Sequence, residues 1–253
     1  MADDRPKTGP DVQAAGLSKL FRRGVLCWLL VLSVSALAAP TPDRPIETLV
    51  ADKEVRLFAV VYPQRFNSAQ GGEARYHLVV WKGGTSPDAL LETPADDLAF
   101  HDAVVALGAQ PGNNLTMAAW NKRHDLDASE PKHTVEGAAL AVRLSWADNP
   151  TGIPIEQAFL GPSPQHSALS TQHFLTPVLE WHFGGNRDRW FNRVPLASRP
   201  GCLLCLYSCP SGKVSNRALS VHDYVEAPTR FTADTKLLPP DGTAVTLTIR
   251  LVQ

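Results

Sequence analysis

Charge is scarce in this chain. Its 253 residues carry 24 basic and 25 acidic side chains, a net charge of −1, and charged residues fill only 19% of positions. Nucleic acids and anionic membranes are held by basic fields, so neither is expected as a partner. Catalytic signatures are lacking as well: there is no Gly-rich phosphate loop, no G-x-S-x-G elbow and no H-E-x-x-H pair. Methionine is reduced to Met1 and Met117, and cysteine occurs four times. The apolar run from Val25 to Ala36 falls short of the roughly 20 residues that a bilayer-spanning helix needs.

That short run fits a different purpose. A polar opening reaches Lys19, Arg22-Arg23 follows, an apolar stretch begins at Val25, and Ala36-Leu37-Ala38 closes it with an A-x-A cleavage pattern. Residues 1–38 are therefore read as a cleaved signal peptide, and the mature protein as periplasmic or secreted. An N-terminal membrane anchor is the alternative. Twin arginines mark the route that exports folded proteins, but Phe21 before the pair and Gly24-Val25-Leu26 after it match that signal only in part, so ordinary secretion is expected. No membrane span is expected after cleavage, and a protein partner in the cell envelope stays open.

Proline (21) and glycine (17) are frequent, which suits short strands joined by turns. Residues 39–46 read as a flexible leader and residues 47–253 as one β-rich domain. From Glu47 to Tyr62 the chain reads as strand, with Val55, Leu57, Ala59 and Val61 sharing a face at period two. Gly71-Gly72 marks a turn and Arg75 to Lys82 resumes as strand. Further strand faces are Leu140, Val142, Leu144 and Trp146; Leu179, Trp181 and Phe183; and Val245, Leu247, Ile249 and Leu251. One helix is well signposted. Thr93 is its predicted cap, Pro94 its first position and Asp96 its capping-box acid. Phe100, Ala103, Val104 and Leu107 form its apolar stripe, and Gly108 ends it. Residues 110–133 are polar, and residues 161–171 read as a loop. The predicted class is α+β, mostly β: an antiparallel strand array with one well-defined helix across it.

Leu90-Leu91-Glu92-Thr93-Pro94-Ala95-Asp96, followed by His101 and Leu107-Gly108, resembles the YdjY-like family of exported bacterial proteins. Members share a strand, a short HE-x-LL step and a helix with H-x-AL…LG. Glu180-Trp181-His182-Phe183-Gly184-Gly185 resembles the family's W-x-F-x-G-S strand, and the likeness spans residues 47–251. Pro87-Asp88 stands where the family has His-Glu. The resemblance implies an exported domain whose biochemical role is undefined, and some members carry a ferredoxin-like label.

The densest chemistry lies in Cys202-x2-Cys205-x3-Cys209-Pro210. It reproduces the last three ligands and the proline of a bacterial ferredoxin run, with Arg199 where the first cysteine would fall. Only Cys27, inside the presumed signal, is left to complete four ligands. Cys205 and Cys209-Pro210 alone resemble the C-x3-C-P loop of thioredoxin-like copper chaperones, and soft thiolates favour Cu(I). His166, His173, His182 and His222 are candidate imidazole donors. The plainer reading is a buried strand in which cysteines act as small hydrophobes, with a disulfide from Cys209 to Cys205 or Cys202. Strand geometry then sends Cys202 and Cys205 to opposite faces. A second candidate is a ligand loop in which Arg187 and Arg189 would contact an anion and Trp190 would stack on a carbohydrate; the plainer expectation is a loop that Trp190 and Phe191 anchor to the core. Asp97 and His101, spaced i, i+4, share a helical face that is expected to be solvated.

The expected function is non-catalytic: an exported β-rich domain with a binding or assembly role and no cofactor. The alternative is a thiol-based metal or electron-transfer protein, iron–sulfur or copper, using Cys202, Cys205 and Cys209.

Overall fold

The structure, a computed structural model, describes residues 39–68, 76–86, 89–160, 179–187, 200–226 and 231–252. In chain order the strands and helices are β1 (Ile46–Leu49), β2 (Glu54–Val61), α1 (Pro63–Ser68), β3 (His77–Trp81), β4 (Leu91–Thr93), α2 (Asp97–Ala106), α3 (Met117–Asn121), β5 (Ala139–Trp146), β6 (Asn149–Pro154), β7 (Phe159–Leu160), β8 (Trp181–Phe183), β9 (Cys202–Cys205), β10 (Val214–Asn216), α4 (Val221–Glu226), β11 (Thr232–Ala233) and β12 (Thr243–Leu251).

Period-two alternation is strongest in β2, β5 and β12, and these strands form the best-paired part of the sheet. Residues 243–250 of β12 run antiparallel to β2, and residues 246–251 run antiparallel to β5. The alternation puts Val55, Leu57, Ala59, Val61, Leu144, Leu247 and Ile249 in the core, each at most 1% exposed. Their neighbours on the opposite face are less covered. Burial at roughly 25 cal/mol per Å² of apolar surface is what holds this face together.

From β5 the sheet continues through β8, β10, β9 and β3 to β4, and β4 returns to pair with β2. Eight strands thus close into a barrel-like ring, with β1 added beside β2 and β6 beside β5. Closure removes most of the unpaired edge that an open sheet would offer to other chains. The mostly β class is thereby observed, but the array is not uniformly antiparallel: β3 runs parallel to β4, and β9 parallel to β10. Four α-helices are present among the described residues. Among the same residues, no helix is long and apolar enough to cross a membrane.

The signposted helix forms, with its N-terminus corrected. Asp96 is the cap, its carboxylate accepting from the Leu98 and Ala99 amides at 2.9 and 3.1 Å. Thr93 belongs to β4 and its hydroxyl donates to Phe58 O. Gly108 follows the helix at φ 89°, where a side chain would be strained. Phe100, Val104 and Leu107 are fully buried, as the stripe requires. The strand read from Glu47 to Tyr62 is two strands and a turn, because Lys53 at φ 57° breaks the extended run. The polar stretch 110–133 contains α3. The Gly71-Gly72 turn and the segment 161–171 lie outside the described residues.

Candidate functional site

β9 is short, and all four of its residues are buried. On one side it pairs with β3 through His77↔Cys205, Val79↔Leu204 and Val80↔Cys202, with two shifts of register. Between the first two pairs β3 carries an extra residue, Leu78. Between the last two β9 carries one, Leu203. This second irregularity corrects the expectation that Cys202 and Cys205 face opposite ways. In a regular strand residues three apart alternate in direction, but one bulged residue restores the parity. Both thiols therefore point to the same place.

On its other side β9 pairs in parallel with β10, through Leu204↔Val214 and Cys205↔Ser215. Parallel neighbours need the chain to travel back along the strand before pairing, and residues 206–213 make that return. The return brings Cys209 against the other two thiols. Its sulfur accepts the Gly212 amide at 3.3 Å. Gly212 packs so close that a Cβ there would fall 3.1 Å from Cys205 Sγ and 2.9 Å from Ser215 Oγ.

The three cysteines, all buried and free of disulfides, meet an imidazole that the sequence did not single out. His77 Nδ1 lies 3.5 Å from Cys202 Sγ and 3.8 Å from Cys205 Sγ. His77 Nδ1, Cys202 Sγ and Cys205 Sγ lie within 4.8 Å of one another. Cys209 touches both other thiols but is not within that distance of all three donors. Ser86 Oγ sits 3.2 Å from Cys202 Sγ. Hydrogen bonds from Cys205, Cys209 and Ser86, with help from the charge of Lys213, hold the Cys202 thiol well below its ordinary pKa. Burial pushes the Cys205 thiol up, and Cys209 up to about 11.

A cavity of about 360 Å³ opens onto this cluster. His77, Cys202 and Cys209 are among its ten lining residues, and five others are apolar or aromatic: Tyr76, Met117, Trp120, Pro200 and Pro210. Tyr76 is fixed from behind by its hydroxyl, which donates to Ser208 O at 2.9 Å, and by stacking on Tyr207.

The other sequence candidates lie elsewhere. Asp97, expected in solvent, is buried and bonded to Lys213 Nζ at 3.1 Å. His101 is buried too, with Nδ1 2.9 Å from Asp102 Oδ1 and Nε2 3.1 Å from Gly185 O. The expectation of a solvated face fails because the chain around Gly185 and Lys213 covers this side of α2. Arg187 is exposed and pairs with Asp102 at 3.1 Å. Arg189, Trp190, Arg199, Cys27, His166 and His173 lie outside the described residues. His182 Nδ1 lies 2.9 Å from Gly137 O, and His222 pairs with Glu226 at 3.2 Å. Neither belongs to the cysteine group. His77 was missed because only the β3–β9 ladder brings it to Cys205, across 128 positions of sequence.

The YdjY domain model matches residues 49–250 of the chain. The chain is also similar to an uncharacterized protein, YdjY, of Escherichia coli (strain K12), with 26% identity over 183 residues that cover 72% of this chain and 69% of the relative. No solved structure matches the chain.

Proposed function

We propose that this chain, which belongs to the YdjY family, is an exported protein that binds a single soft or borderline transition-metal ion through His77, Cys202 and Cys205. The observation that carries this reading is the set of three donors within 4.8 Å of one another. Tetrahedral coordination with metal–sulfur bonds of about 2.3 Å and metal–nitrogen bonds of about 2.0 Å separates neighbouring donors by roughly 3.5–3.8 Å. The His77–Cys202 and His77–Cys205 separations, 3.5 and 3.8 Å, fall in that range. A [4Fe–4S] cluster binds each terminal thiolate to a different iron and takes four of them, which is served less well by two thiolates and an imidazole this close. Two thiolates and an imidazole make a neutral site around a divalent ion, so burial is not a bar to binding. Export rests on Arg22-Arg23, the apolar run and Ala36-Leu37-Ala38.

The non-catalytic binding role read from the sequence thereby gains a ligand. Anaerobically purified protein is expected to hold or take up about one equivalent of zinc, copper or cobalt, without inorganic sulfide. Cys202→Ser, Cys205→Ser and His77→Ala should each lower that uptake sharply. Stoichiometric iron and sulfide would turn the reading to a cluster, and no uptake of any of these metals would leave the cysteines with a packing role. N-terminal sequencing of accumulated protein, expected to begin near Ala39, tests export.

A further inference from the structure

We propose that the ion at His77, Cys202 and Cys205 keeps its fourth coordination position open to the adjoining cavity, and that the position is taken by the sulfur of a small thiol with an apolar or aromatic body. The inference rests on the metal reading above and adds to it an exchangeable ligand.

Three observations lead here. First, the compact donor set holds three ligands, and Cys209, the obvious fourth, stands outside it. Its sulfur accepts the Gly212 amide on the return from β9 to β10. Metal sites closed by four protein ligands are structural, whereas three protein ligands leave a position for an outside molecule. Second, the cavity reaches the donors themselves, since His77 and Cys202 line it together with the apolar residues. Its volume of about 360 Å³ lies at the low end of the roughly 300–1,000 Å³ range of small-molecule sites. Third, among the described residues the lining contains no Lys, Arg, Asp or Glu. These described residues favour an apolar body over a phosphate or a sugar acid. Of the remaining lining residues, Ser86 and Ser211 offer hydroxyls and Cys209 a thiol.

A ligand in such a cavity is anchored through the ion and otherwise held by contact with Trp120, Tyr76, Met117 and the two prolines. The anchor atom must suit an ion already bound by thiolates, which favours sulfur over oxygen. The body must suit an aromatic-lined space, which favours an apolar or aromatic group. Met117 Sδ, 4.0 Å from Ser211 Oγ, adds a polarizable contact of the kind thioethers make with such groups.

Benzenethiol and the cobalt(II) form of the full chain, handled without oxygen, provide the test. Cobalt reports its ligands through its visible bands and through sulfur-to-metal charge transfer. Saturable addition of one benzenethiol per cobalt should add a charge-transfer band, and native mass spectrometry should find chain, cobalt and thiolate together. Trp120→Ala should weaken benzenethiol binding at least tenfold with cobalt uptake unchanged, while Trp120→Phe retains it. Should Trp120→Ala fail to fold, Met117→Glu, which puts a charge into the cavity, should give the same loss. Cys209→Ser should leave the cobalt charge-transfer intensity at its two-thiolate level. A spectrum indifferent to benzenethiol, or a one-third drop in that intensity in Cys209→Ser, would overturn the open position and leave a closed four-ligand site. Failure to take up cobalt would overturn the metal reading itself.

Discussion

Among the described residues, two of the buried polar clusters solve burial in opposite ways. The Lys213–Asp97 pair contains both signs of charge. Lys213 Nζ reaches Asp97 Oδ2 at 3.1 Å and donates to Asn186 O and Ser211 O at 3.2 and 3.3 Å. It supplies its own counter-charge, and of its polar atoms only Asp97 Oδ1 is buried without a hydrogen-bond partner. The cluster of His77, Cys202, Cys205 and Cys209 contains donors of one kind, three sulfurs and an imidazole nitrogen, with no cation among them. Strand β10 joins the two, since Lys213 immediately precedes it and Ser215 pairs with Cys205. A buried group that carries its own neutralising partner is structural. Under the reading proposed above, an ion would supply the opposite charge to the second cluster.

The comparison can be stressed in order of expected effect. Val104→Asp introduces a charge on the same helix as Asp97 but with no Lys213 to meet it. It should cost about 5 kcal/mol in urea unfolding, and near-wild-type stability would show that α2 is not seated as described. Adding zinc or cobalt at a thousandfold excess over its dissociation constant should raise unfolding stability by about 4 kcal/mol. That gain should vanish in Cys202→Ser and survive in Asp97→Asn, so equal gains in the two variants would erase the distinction. Lys213→Met leaves Asp97 buried without its partner and should cost about 3 kcal/mol or more, most of which a double change to Lys213→Met with Asp97→Leu should restore. A double variant no better than the single would mean that the pair itself is not what matters. Smaller effects belong to the periphery. Asp96→Ala removes a cap and should cost about 1 kcal/mol in thermal unfolding. Arg187→Ala breaks an exposed pair and should change stability by about 0.5 kcal/mol or less. A larger loss would mark Arg187 as part of the α2 cover.

Legibility followed locality. The faces of β2, β5, β12 and the stripe of α2 rest on alternation or periodicity within a few residues, and Val55, Leu57, Phe100 and Val104 are buried as read. The cysteines were legible as a group but not in direction, because the bulge at Leu203 depends on pairing with β3. His77 carried no local mark at all. Asp97 and His101 looked solvated because a helix surface shows its periodicity but not what will later cover it. The partners arrive from Gly185 and Lys213, 84 and 116 positions further along. Ring closure through β2 and β4 was likewise invisible, since it rests on the two pairs Val60↔Glu92 and Val61↔Leu91.

The register between β3 and β9 also carries a consequence for timing. Cys202, Cys205 and Cys209 are neighbours along the chain and can meet a metal at any stage of synthesis or transport. His77 joins them only when a ladder spanning 128 positions has formed, and contacts so distant in sequence are among the slow events of folding. An ion caught early would be held by sulfur alone, and would exchange one sulfur environment for the mixed sulfur–nitrogen one as the ring closes. His77 thus reaches the cysteines only as the ring closes, so the complete set of donors is a late product of folding rather than a local property of the cysteine segment.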